Sequence, residues 1–167
     1  MEILFTKNKS VLSQLIRWVF DEPCSHVIFL FDDKWIVHSN LLGVNIRFYK
    51  AFMSSGDTEV VDRIKFKLDL IEEEELFQSL LESHSEESYD YKAFFYFSYR
   101  GLMYKIFNIP LPKNNPWGEP KAYLCTEIAK NLPEWITGID KQTDLAITTP
   151  WTLRNIMKER AHALRVN

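Results

Sequence analysis

Three short segments between Ser25 and Tyr49 constrain the fold of this 167-residue chain more than any other feature. Ser25 to Phe31 is strand-like and almost wholly apolar, and Lys34 to His38 reads as a second strand. Gly43 to Tyr49 is a third, with Val44, Ile46 and Phe48 alternating against Asn45 and Arg47. Connections this short cannot hold a crossover, so the three form an antiparallel meander. Ile3-Leu4-Phe5 is a further short strand, and another covers Glu59 to Leu68, making the first half mostly sheet.

Helical patterns lie around these strands. Ser10 caps an amphipathic helix carrying Leu12, Leu15, Ile16 and Val19, which Asp21-Glu22-Pro23 ends. Ile71 to Leu81 is a helix with Leu76, Phe77, Leu80 and Leu81 inward; its acids form a solvated face to which His84 belongs. The aromatic segment Tyr89 to Phe107 is a helix that either packs deeply or walls an apolar pocket. Pro110 to Pro120 is an irregular loop, Ile136 to Thr149 is mostly loop with a short strand at Leu145 to Thr148, and Pro150 opens a last helix through Ala163 with Leu153, Ile156 and Met157 inward. With no repeat or linker, residues 1–167 read as a single α+β domain built on a central antiparallel sheet.

Charge and cysteine usage exclude several classes. A net charge of -3 gives no bulk attraction to nucleic acid or to an acidic membrane face, local patches aside, and no nucleic-acid partner is expected. The longest apolar run, Val27 to Phe31, is too short for a transmembrane segment, and the start lacks a signal-peptide pattern, so a soluble cytoplasmic protein is expected. Cys24 and Cys125 are too few for a disulfide framework and lack zinc-site spacing; no metal or cofactor is expected. Oligomeric state stays open.

The chemistry centres on Tyr123-Leu124-Cys125-Thr126-Glu127. Thr126 to Leu132 reads as a short helix, which puts Cys125 in a first turn where unpaired N–H groups favour a thiolate and lower its pKa. The alternative is a small buried apolar residue. Glu127 reads as a first-turn acid complementing the helix dipole. His26 opens the apolar strand and His38 ends the next. Directly opposed residues in an antiparallel hairpin have a constant index sum; opposing the two histidines requires 64, with Phe31-Asp32-Asp33 as the loop, and puts both imidazoles on one face. A histidine pair on one face with a helix-start cysteine has the makings of nucleophile, base and orienting group.

Ser25-His26-Val27, Trp35-Ile36-Val37-His38, Gly43-Val44, Tyr123-Leu124-Cys125-Thr126-Glu127, Tyr89-Asp90 and Thr149-Pro150-Trp151-Thr152-Leu153 together resemble the circularly permuted papain-like cysteine hydrolases. These are the permuted NlpC-type branch that includes the lecithin:retinol acyltransferase group, in which the histidine precedes the cysteine. The resemblance implies a permuted papain-like fold with the nucleophile-bearing helix packed on the sheet. It implies Cys125 as nucleophile, His26 as base and His38 as the orienting third residue, with Tyr123 and Ser25 near the oxyanion or substrate. Relatives of hydrolase type often carry a carboxylate where this chain has His38, and Leu124 replaces the asparagine usual before the acyltransferase cysteine. The expected reaction is thiol hydrolysis of an amide or ester, led by a peptide or peptidoglycan-like amide. The second expectation is an acyl substrate, handled by an acyltransferase or lipid thiol-esterase. A third is a noncatalytic binding domain using the basic residues Arg154, Lys158, Arg160 and Arg165. Cys24 reads as inert and apolar, the sharper alternative being a reversible disulfide with Cys125.

Overall fold

The structure, a computed structural model, describes residues 1–40, 42–84, 89–117, 124–139 and 144–165. Tyr123 lies outside these residues, and so do the side chains of His84, Arg160 and Arg165. The strands are β1 (Glu2–Asn8), β2 (His26–Phe31), β3 (Trp35–Asn40), β4 (Gly43–Phe48) and β5 (Thr58–Lys65). The helices are α1 (Val11–Phe20), α2 (Tyr49–Met53), α3 (Leu70–His84), α4 (Tyr91–Phe107), α5 (Glu134–Thr137) and α6 (Pro150–Arg165), with 3₁₀ turns at Glu127–Asn131 and Leu145–Ile147.

All strand pairs are antiparallel, in the order β4-β3-β2-β1-β5. The expected meander is present as β2-β3-β4, and β1 pairs along the other side of β2. Both sheet faces are covered. Ile3, Phe5, Val27, Phe29 and Phe31 point into the larger core with Leu80 of α3 and Leu153 and Met157 of α6. Leu4, Ile28, Leu30 and Ile36 point the other way, under Tyr49 and Phe52 of α2. A strand buried on both faces gains nothing from polar alternation, hence the unbroken apolar run of β2. Each such fully buried side chain contributes about 1.5–3 kcal/mol.

The hairpin register differs from the expected one. Phe31 pairs with Trp35 and Phe29 with Val37, an index sum of 66 that leaves Asp32-Asp33-Lys34 as the loop. Phe31 cannot serve in a loop because it is a core residue, 2% exposed. The turn closes with Lys34 N–H donating to Phe31 O at 2.9 Å, and Asp32 and Asp33 take φ of 47° and 50°, a left-handed pair that aspartate tolerates. A shift of two in the sum keeps every side chain on its face.

Local chemistry accounts for the helix ends. Ser10 Oγ accepts from Ser13 N–H at 3.1 Å and Asp90 Oδ1 from Ala93 N–H at 2.7 Å, capping α1 and α4. Thr149 Oγ1 accepts from Thr152 N–H at 3.1 Å at the start of α6 and donates to Glu22, tying that helix to the end of α1. Two expected elements take another form. Thr126 to Leu132 is not an α-helix but holds a five-residue 3₁₀ turn, Glu127–Asn131, which ends where Leu132 is held extended before Pro133. Leu145 to Thr148 is not a strand: Asp144 Oδ1 accepts from Ala146 N–H at 3.0 Å and winds the segment into a 3₁₀ turn.

Candidate active site

The site lies where β2 and β3 separate. Their pairing covers only Phe29–Phe31 against Trp35–Val37, whereas β3 stays paired with β4 through His38, Ser39 and Asn40. His26 and His38 therefore flank a gap between diverging strands. They bridge it, with His26 Nε2 and His38 Nδ1 3.0 Å apart and the rings edge to face at 85°. His38 is 2% exposed and packs its edge against Phe52 of α2. The conclusion that the two imidazoles share a face holds, although they are diagonal neighbours and not directly opposed.

Cys125 reaches the gap from the segment packed on the larger core. Ile128 and Ala129 of the 3₁₀ turn and Leu132 just after it anchor that segment among Val27, Phe29 and the α6 side chains. Glu127 braces it: its carboxylate accepts from Leu124 N–H at 2.9 Å and from Lys130 Nζ at 2.7 Å. Thr126 Oγ1 donates to Leu145 O at 2.9 Å and pins the other side. The backbone N–H groups of Val27, Thr126 and Cys125 itself lie near enough to the thiol to favour its charged form. Val27 has its N–H to spare because the ladder to β3 begins only at Phe29.

These N–H groups lower the thiol pKa as expected, but burial outweighs them and pushes Cys125 up to about 11. The expected preformed thiolate is thus replaced by a neutral thiol. Both imidazoles are pushed down by burial, His26 to about 3 with the facing His38 adding to the effect, and His38 to about 4 with Arg47 adding to it. The resting site is uncharged: one thiol and two neutral rings. Among the described residues His38 Nε2 is buried without a hydrogen-bond partner.

One cavity of about 420 Å³ joins these groups. Cys125, His26, His38 and Ser25 all line it. Its apolar wall comes from Leu12, Ile16 and Phe20 of α1, Phe94 and Phe97 of α4, and Phe52 of α2. Asn8, Ser39, Asn40 and Thr58 make a polar side. Ser25 is tied to the scaffold, its Oγ 2.6 Å from Ser13 Oγ and its N–H donating to Thr6 O at 2.9 Å, so it braces the wall next to His26. Tyr89, to which the sequence gave no catalytic role beyond its place in the aromatic segment and in the Tyr89-Asp90 resemblance, also lines the cavity. Burial raises its phenol pKa, and any thiolate formed on Cys125 would raise it further, so it stays protonated.

Cys24 is fully buried in the larger core and burial pushes its thiol up to about 12, with Glu22 and Cys125 adding to the effect. Both cysteines are free thiols. Arg154 and Lys158 converge on Asp62 of β5, Arg154 Nε at 2.6 Å and Lys158 Nζ at 2.7 Å, so these two basic residues serve an ion-pair network between α6 and the sheet edge. Among the described residues no cluster of His, Cys, Asp or Glu is arranged to hold a metal ion, and no helix is long and apolar enough to cross a membrane. No protein-family model, curated protein or solved structure matches this chain.

Proposed function

We propose that the protein is a thiol hydrolase of the permuted papain-like type that cleaves an amide or ester through a thioester on Cys125. The observation that carries this reading is the convergence of Cys125, His26 and His38 on one cavity, with the two imidazoles hydrogen-bonded at 3.0 Å. Because His26 Nε2 is engaged by His38, the ring nitrogen left to act as base is Nδ1. For Nδ1 to accept a proton, Nε2 must carry one and donate it to His38 Nδ1, which places the His38 proton on Nε2. His38 thus selects the His26 tautomer and orients the ring. As a neutral group with a lowered pKa, it does so without the charge a carboxylate would bring.

The reaction begins from the neutral pair. The Cys125 sulfur attacks the substrate carbonyl while His26 Nδ1 takes the thiol proton, so the new C–S bond and the imidazolium form together. The imidazolium then protonates the leaving oxygen or nitrogen as its bond to carbon breaks. Water, deprotonated by His26, resolves the thioester and returns the thiol. Tyr89, protonated and on the same cavity wall as the thiol, is our candidate donor to the developing oxyanion, the part expected of Tyr123.

An acyl substrate, the second expectation from sequence, gains support from the cavity wall. Phe20, Phe52, Phe94 and Phe97, with Leu12 and Ile16, make an apolar wall that suits a chain of methylenes. Hydrolysis of p-nitrophenyl esters of increasing chain length, set against peptide amides, tests both levels. The expected result is kcat/KM rising with chain length and abolished in Cys125→Ser. Turnover surviving in Cys125→Ser would remove the thiol mechanism, and peptide amides outpacing every ester would restore the peptidase reading.

A further inference from the structure

The cavity that joins Cys125, His26 and His38 is lined, among the described residues, by no Asp, Glu, Lys or Arg. Charged residues make up 26% of the chain, so a lining without any is a property of the site and not of the composition. The reacting groups add no charge at rest, being a thiol, two neutral imidazoles and the Tyr89 phenol. Several charges that adjoin the lining are engaged by other groups. Glu127 holds Leu124 N–H and Lys130 Nζ, Glu22 holds Thr149 and Trp151, and Lys7 pairs with Glu59 at 3.0 Å. Lys9 and Arg17 adjoin lining residues in sequence and Arg47 acts on His38, yet none of the three lines the cavity.

The polar side of the cavity keeps hydrogen-bonding groups in reserve. Asn8 and Thr58 are directly opposed across β1 and β5, and Asn40 ends β3; all three are half-buried. Asn8 Oδ1 accepts from Ser10 N–H at 3.0 Å and Ser10 Oγ at 2.6 Å, and Asn40 Oδ1 from Leu42 N–H at 2.8 Å and Asn45 Nδ2 at 3.0 Å. A backbone N–H can only donate, so each carboxamide is fixed with its oxygen occupied. Among the described residues neither NH₂ group has a partner, nor does Thr58 Oγ1. Two fixed amide donors and a hydroxyl suit the oxygens of an uncharged group. A phosphate or carboxylate entering the same place would lose water without gaining a cation, and an ammonium would lose water without gaining a carboxylate.

We infer that the cavity takes an uncharged polyol ester, its acyl chain on the apolar wall of α1 and α4 and its hydroxyls on Asn8, Asn40 and Thr58. As a substrate assignment this rests on the thioester reading of Cys125. The S–C bond to the acyl carbon forms as the ester C–O bond breaks, His26 passes the thiol proton to the departing polyol oxygen, and water then releases the acid. The neutral lining selects against charged head groups at the binding step, whatever chemistry follows.

Calorimetric titration of the full chain carrying Cys125→Ser, with octanoyl esters kept below their micelle concentrations, tests this apart from turnover. Octanoylglycerol or octanoylglucose should bind at least about tenfold more tightly than methyl octanoate, which lacks the hydroxyls, and the tighter of the two names the polyol. Either should bind at least about a hundredfold more tightly than octanoylglycerol phosphate or octanoylcholine. Thr58→Lys, which supplies the missing cation, should bring octanoylglycerol phosphate to within about tenfold of octanoylglycerol. Equal affinity for the phosphate ester in the unaltered lining, or methyl octanoate binding as tightly as both polyol esters, overturns the inference. Release of octanoate by the parent chain separates the two readings. Preferential binding of the polyol ester with no release would remove the thiol-hydrolase reading and leave the polyol site standing. Release from the phosphate ester as fast as from octanoylglycerol would overturn the polyol site alone.

Discussion

Each residue of the site is governed by burial more than by its immediate neighbours. Cys125 has three backbone N–H groups near its thiol and still sits at about 11, because removing a thiolate from water costs more than those donors return. Its alkylation by iodoacetamide should climb steadily past pH 9 with no shoulder near neutrality; a plateau below pH 7 would reveal an ion pair that the geometry does not support. The positioning role of His38 separates from mere packing in a kinetic split. His38→Ala should lower kcat about 10–100-fold with KM little changed, and His38→Asn, which keeps an amide oxygen near Nδ1 as an acceptor, should recover much of the loss. Equal loss in both variants, or a loss confined to KM, would assign His38 to packing.

The histidines also set a pH dependence of stability. Both have folded pKa values below the usual imidazole value of about 6.5, so the unfolded chain binds more protons between about pH 4 and 6.5 and stability falls as pH falls through that window. Melting temperature should drop from pH 7 to pH 5, and the slope should be shallower in His26→Ala/His38→Ala. The residue types were legible in the sequence because a helix-start cysteine and two strand histidines are chemically conspicuous, and because only the parity of the hairpin register decides whether the histidines share a face. Their protonation was not legible. It depends on the depth of a cavity whose walls come from α1, α2 and α4, and no local spacing reports that.

Among the elements, α3 and α6 followed their periodicity, whereas on α1 Leu15, grouped with Leu12, Ile16 and Val19 as an apolar position, is exposed, and the short elements departed from their expected form. The acidic helix α3 and the last helix α6 matched their expected inward residues, Leu80 and then Leu153 and Met157. By contrast α2 spans only Tyr49–Met53 and the cysteine turn only Glu127–Asn131, too few residues for a 3.6-residue period to be told from anything else. The cysteine turn is held by side chains, so Glu127→Ala should loosen it: the Leu124 N–H loses a charged acceptor, at a cost of about 1.5–3 kcal/mol. Denaturant unfolding would measure the cost, and a change within error would mean the turn is held by packing alone. At the α1–α4 contact, a Cβ on Gly101 would fall 2.5 Å from Phe20 Cζ and 2.7 Å from Val19 Cγ1. Gly101→Ala should therefore destabilise by about 1–3 kcal/mol, against a helix-propensity gain of about 1 kcal/mol, because Phe20 is already stacked on Phe97 in the cavity wall. Higher stability in that variant would show that the wall yields.

Taken as a whole, the molecule uses a sheet buried on both faces to bring together two parts of the chain a hundred residues apart in order. The histidines stand on the α2 side of the sheet; the cysteine turn packs on the other, and they meet only where β2 runs out of pairing with β3. The central claim is that this meeting point performs thiol chemistry. Intact-mass spectrometry of the protein during reaction with a slowly hydrolysed p-nitrophenyl ester addresses it directly. The account predicts a stoichiometric burst of p-nitrophenol, a single acyl group mapped to Cys125, and loss of that burst in His26→Ala. An unmodified Cys125, or acylation at the same rate without His26, would contradict it.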